Sequence, residues 1–185
     1  MSETQTIETP RTDNTLEPET IRGQLQAFSE AYQYDASYLE QVFDASPGAF
    51  GAFYAAQPMS SYRSALPLDA HYVARVAAMQ GQDCGACAQL NLRMAVEAGV
   101  DRELLTTLID DPTSLPAPLR DVHDHALAVT RGDAIDLERA ERLRAAYGNE
   151  AFAELAVCIT GSSIYPTLKR ALATALSCEP LRLDF

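Results

Sequence analysis

Apolar residues recur along this chain at intervals of three and four, and nowhere do they alternate for long with period two. That property excludes most folds. Spacing of three and four puts side chains on one face of an α-helix, whereas a half-buried strand needs strict alternation. Each periodic stretch is short and is cut by Gly, Pro, Asp or Asn where a cap or turn belongs. No glycine-rich phosphate loop and no solenoid period interrupts the pattern. The expected class is all-α: a single compact multi-helix domain of about eight or nine helices, joined by turns short enough for antiparallel packing.

The order of elements follows from the breakers. Residues 1–17 are rich in Thr and Glu with almost no apolar periodicity, and are expected to form a flexible acidic arm before a domain over 18–185. Ile21, Leu25, Phe28 and Tyr32 predict a helix from Pro18 to about Tyr34. Asp35 or Ser37 is placed to cap a second helix, which Ser46-Pro47-Gly48 breaks. Phe50, Phe53 and Tyr54 form a short aromatic helix, and Met59 to Leu66 reads as a loop. Pro67 suits a first helical position, opening a helix that ends near Gly81. The next runs from Cys84 to Ala98 and stops at Gly99, and Asp101 caps a short one through Ile109. A helix from about Pro116 closes at Gly132, and another from Ile135 stops at Gly148. Asn149 then caps a segment to about Ile164 that is apolar nearly all round, a core helix or one buried between subunits. Pro166 sets the boundary before a last helix to about Cys178.

Of 185 residues, 47% are hydrophobic, enough for one core. The net charge of −12 argues against a nucleic-acid surface and against anionic membranes, so neither is expected as a partner. No uninterrupted apolar run reaches the ~20 residues of a transmembrane helix. The polar, acidic start lacks the basic-then-apolar layout of a signal peptide, and a cytoplasmic protein is expected. In a reducing compartment a close cysteine pair is a redox or metal element rather than a permanent staple.

Cys84-Gly85-Ala86-Cys87 is such a pair, set where a helix begins. Residues i and i+3 share a helix face, so the two sulfurs can meet across the first turn. The partial positive charge of a helix N-terminus favours thiolate, the nucleophilic form. Two other readings stand beside the redox one: a pair of small core residues, or half of a zinc site. The zinc reading lacks ligands, because Cys158 and Cys178 lie on apolar segments and His123 and His125 are two apart on a helix. No metal and no cofactor is expected. His123 and His125, with Asp121 and Asp124, read as a solvated patch.

The region from Leu66 to Val100 resembles the alkylhydroperoxidase D-like / carboxymuconolactone decarboxylase family. The resemblance is carried by Arg75-Val76-Ala77, a turn, Cys84-Gly-Ala-Cys87 opening a helix, and Ala95 to Val100. Asp101 to Leu105 and the apolar segment Ala151 to Ile159 also fit. It covers about a third of the chain. It implies an all-α fold, assembly as a homo-oligomer (dimer, trimer or hexamer), and a Cys87 nucleophile resolved by Cys84 as a disulfide. The implied substrate is a peroxide or a small disulfide, with a thiol or a protein as reductant.

Peroxidase members of that family carry a Glu on the preceding helix and a His four residues after the second Cys. Here Asn91 stands at the His position, and the Glu position falls on Tyr72 or Ala70. Asn cannot take up a proton at pH 7. The nearest ionisable candidates are Asp69 and His71, the latter expected on a partly exposed face, and Asp83, whose first expected role is to cap the helix. Tyr72 is a candidate hydrogen-bond donor, and Gln89 and Asn91 flank the turn that carries Cys87. The expected function is a CxxC thiol oxidoreductase that reduces peroxides in antioxidant defence, with a non-standard proton relay. The alternative is a decarboxylase-like or non-catalytic, redox-sensitive member of the same scaffold.

Overall fold

A computed structural model describes residues 17–174 and 180–185. The described chain is helical throughout, with no strand. Its elements are α1 (Pro18–Tyr32), α2 (Ser37–Ala45), α3 (Pro47–Tyr54), α4 (Pro58–Ser61), α5 (Leu68–Gly81), α6 (Gly85–Glu97), α7 (Arg102–Asp110), α8 (Ala117–Arg131) and α9 (Leu137–Ala171). A 3-10 turn, Pro112–Ser114, lies between α7 and α8. The expected acidic arm, apart from Glu17, lies outside the described residues, as do Leu176 and Cys178.

Helix α5 is the centre. Ala70, Val73, Ala74, Val76, Ala77 and Ala78 are all fully buried, covering several faces of one helix. It packs on α6, α8 and α9. Alanine at most of these positions lets the neighbouring helices approach closely. Leu92, Leu105, Leu108, Val122, Leu143, Leu155 and Ile159 fill the space between them. A second apolar cluster joins Tyr34, Tyr38 and Met79 to Cys84, Cys87 and Ala88. Ile21, Leu25, Phe43 and Phe50 form a third, which holds α1, α2 and α3 together.

Most boundaries fall where the sequence puts them. Ser46 ends α2 and caps α3 by accepting from the Ala49 N–H at 3.2 Å. Asp101 caps α7 through the N–H groups of Glu103 and Leu104. Gly132 closes α8 in the left-handed conformation, at φ 75°. Gly148 interrupts α9 with φ 85° and ψ 165°, so the two expected helices run end to end across a kink.

Some expectations need correction. Pro166 does not end a helix: α9 runs through it to Ala171, with Pro166 buried. A proline there forfeits a backbone hydrogen bond, at a cost of about 3 kcal/mol; the packing that buries its ring offsets this. The expected loop 59–66 overlaps α4, whose backbone lies directly against Gly161 of α9. A Cβ on Gly161 would sit 2.5 Å from the Met59 carbonyl carbon and the Ser60 nitrogen. Pro67 precedes α5 rather than opening it. His123 and His125 are buried, not solvated, because α8 packs on both α5 and α9. Against α9, Asp121 pairs with Arg142 at 2.7 Å and His125 contacts the ring of Phe152.

The second half of α9 is buried on one side against α4, α5 and α8 and leaves Ala156, Val157 and Thr160 exposed. By length and composition α9 would pass for a membrane span, with a window of mean hydropathy 1.2, but 44% of that window is buried in this fold. The last residues return to α6 and α7. Gln89 exchanges two hydrogen bonds with the backbone of Arg182, and Arg102 holds the carbonyls of Leu183 and Phe185. Gln89 is thereby a buried anchor for the tail, not a solvent-facing or substrate-facing residue.

Candidate functional site

The turn between α5 and α6 brings the cysteines together. The Cys84 N–H donates to the Met79 carbonyl, and the Cys84 carbonyl accepts from the Ala88 N–H. These bonds fix Cys84 as the N-cap of α6 and Cys87 as its third residue. Their Cα atoms are 5.3 Å apart and the sulfurs are joined as a disulfide. Both residues are buried, at 1% and 2% exposure.

Asp83 does not cap this helix. Its backbone is left-handed, at φ 52°, which turns the chain sharply before Cys84 and leaves the carboxylate in solvent. Asp tolerates this conformation better than most side chains. With the carboxylate turned outward, the first-turn N–H groups of α6 have no side-chain acceptor. Their partial positive charge is left to act on whatever stands at the turn, which here is sulfur.

Cys87, but not Cys84, lines a cavity of about 610 Å³ whose walls come from α1 to α6 and α9. Tyr72, Arg75 and Met79 enter it from α5 at helical spacing, and Leu90, Asn91 and Met94 enter from α6. Ser162 and Tyr165 close it from α9. Of the residues singled out in the sequence, the fold therefore brings Cys87, Asn91 and Tyr72 to one space.

His71 is not among them. One step along a helix is about 100° around its axis, which takes His71 off the cavity wall while its ring still meets the Tyr72 ring edge to face at 5.2 Å. The His71 carbonyl accepts from Cys158 Sγ at 3.8 Å. Its ring is buried at 3% exposure, contrary to expectation, with Nδ1 lacking a partner. Burial, reinforced by Arg75 and Arg63, pushes its pKa down to about 4. Such a ring is neutral at physiological pH and lies outside the cavity. Cys158 is likewise a buried thiol, raised to about 11 by desolvation.

Asn91 is 4% exposed. Its Nδ2 donates to the Cys87 carbonyl at 2.8 Å, which fixes the amide and leaves Oδ1 buried without a partner. Position 91 thus presents to the cavity an acceptor that cannot titrate.

Three residues that sequence reasoning did not single out complete the surroundings of Cys87. The Tyr34 hydroxyl lies 3.7 Å from Cys87 Sγ. A disulfide sulfur carries no proton, so Tyr34 is the donor. Tyr38 Oη lies 3.4 Å from Tyr34 Oη, and the two rings meet edge to face. Nζ of Lys169, from α9, sits 4.4 Å and 4.7 Å from the centroids of these rings. Burial pushes Tyr34 up to about 12 and Tyr38 higher still, so both remain protonated donors at neutral pH. Burial lowers the Lys169 pKa, opposed by the charge of Asp35.

The signal for these residues was faint. Tyr34 and Tyr38 stand four apart like any apolar pair, and Tyr34 reaches Cys87 across 53 residues of sequence. Among the described residues no group of three His, Cys, Asp or Glu side chains is placed to hold a metal.

A scan against protein-family models finds no match. Searches of curated proteins and of solved structures find none either. The chemistry of the site rests on its own geometry: a disulfide-forming pair at a helix N-terminus, compatible with redox cycling, with one sulfur facing a cavity that several aromatic rings line.

Proposed function

We propose that the chain is a dithiol–disulfide oxidoreductase that reduces peroxides, with Cys87 as nucleophile and Cys84 as resolving thiol. The observation that carries this reading is the asymmetry of the pair: Cys87 lines the cavity and Cys84 lies behind it. The resemblance of the Leu66–Val100 region points to the same order of roles.

In the reduced pair the helix N-terminus favours a Cys87 thiolate, its proton lost to solvent. The thiolate attacks the distal oxygen of a hydroperoxide. An S–O bond forms, the O–O bond breaks, and the leaving alkoxide takes a proton. Tyr34 is the donor for that step, and water reprotonates it. The Cys84 thiol then attacks the Cys87 sulfenic acid; the S–S bond forms and water leaves. The dithiol loses two electrons and the peroxide becomes an alcohol and water. Asn91 Oδ1 is the acceptor available to a peroxide O–H. This assigns the non-standard proton relay to Tyr34, with Tyr38 and Lys169 around it, in place of His and Glu.

A disulfide this buried favours a small thiol that enters the cavity over a large protein reductant. A homo-oligomer remains part of the proposal, and the exposed Ala156–Thr160 face of α9 is compatible with it. The proposal is tested by single-turnover oxidation of the reduced protein with an organic hydroperoxide. Cys87→Ser should abolish the fast phase, while Cys84→Ser should keep it and accumulate sulfenic acid. Unchanged kinetics in both variants would refute it.

A further inference from the structure

We propose that the cavity beside Cys87 binds an amphipathic monocarboxylic acid, with its carboxylate on the Arg75 guanidinium and its apolar body along the aromatic wall. The inference goes beyond the redox reading and does not depend on turnover.

Among the described residues Arg75 is the cationic one that lines the cavity. A guanidinium is charged at any physiological pH. Among the described residues no carboxylate lies within ion-pair distance of it. Its Nε is buried with no partner, and Nη2 reaches only Met94 Sδ at 3.6 Å, a weak acceptor. The remaining contact is the Tyr72 ring, 5.4 Å from the guanidinium carbon. A half-buried guanidinium held by a ring and a thioether has its donors free for a planar anion, and carboxylate fits that fork.

The rest of the wall sets the other half of the ligand. Leu25, Phe28, Phe50 and Phe53 line the same space, whose volume suits a drug-sized molecule. Among the described residues the one carboxylate on the wall is Glu97, which is exposed and accepts from the Tyr32 hydroxyl. It would repel a second anionic group, which selects a monoanion over a diacid. Ser162 Oγ and Asn91 Oδ1, both buried and unpartnered, remain for a polar group elsewhere on the ligand.

The test titrates the full chain calorimetrically with decanoate, decan-1-ol and decyltrimethylammonium. Decanoate should bind one per chain, with the alcohol and the cation at least about tenfold weaker. Arg75→Gln should weaken decanoate by about tenfold without affecting decanol, and Arg75→Lys should keep part of the affinity. Saturating decanoate should slow N-ethylmaleimide labelling of reduced Cys87, mapped by peptide mass. That readout places the ligand even if Arg75→Gln fails to fold. The inference is overturned if decanoate does not bind, if decanol binds as tightly, if Arg75→Gln folds and keeps full affinity, or if labelling is unchanged.

Discussion

The hydroxyl of Tyr34 lies 3.7 Å from the sulfur of Cys87, a contact between the loop after α1 and the first turn of α6. It puts a protonated donor where the sequence leaves no titratable one. Tyr34→Phe removes that donor and keeps the ring packed against Phe28 and Tyr38. The rate of Cys87 oxidation by a hydroperoxide should fall by at least about a hundredfold, the low end for loss of a positioned acid. Stopped-flow on the reduced variant checks this; a rate equal to wild type would remove Tyr34 from the mechanism.

His71 should make the fold sensitive to mild acid. Its folded pKa is about 4 against 6.5 for the free side chain, so the unfolded chain binds more protons between these values. The sign follows: the contribution of a neutral His71 is complete above pH 6.5 and is lost as pH falls to 4. It amounts to no more than about 3 kcal/mol. Denaturant unfolding of wild type and His71→Gln across that range should show the wild type losing more. Parallel pH profiles would contradict the assignment.

Gly161 is the contact point of α4 and α9. A methyl group there meets backbone atoms of Met59 and Ser60, not a side chain that can swing away. Gly161→Ala should destabilise the fold by about 1–3 kcal/mol, the usual cost of overpacking. Gly23, with open space around its α-carbon, is the control: Gly23→Ala on α1 should be neutral or slightly stabilising. Equal melting temperatures for the Gly161→Ala variant and wild type would mean that α4 does not lie where it is described.

Helices were legible wherever a local rule decided them. Ser46, Asp101, Gly132 and Gly148 each act through bonds or backbone angles within a few residues. Pro166 misleads because its local cost is real but is overridden by packing that the sequence does not display. Asp83 misleads in the same way: the cap rule applies to a residue with extended backbone, and this one is left-handed. Of the site, only the part carried by the α5–α6 pair was readable: Cys84, Cys87, Asn91 and Tyr72. Tyr34, Tyr38 and Lys169 arrive from three other segments, and only their convergence on Cys87 distinguishes them from ordinary core residues. His71 and Tyr72 are adjacent in sequence, yet the helix sends one into the protein wall and the other into the cavity.

The most direct measurement adds one equivalent of an organic hydroperoxide to the fully reduced protein, then counts and maps the thiols. The account predicts loss of two thiols per chain, a Cys84–Cys87 disulfide, and a trapped sulfenic acid on Cys87 in the Cys84→Ser variant. A pair that stays reduced, or a sulfenic acid that forms on Cys84 when Cys87 is replaced by Ser, would contradict it.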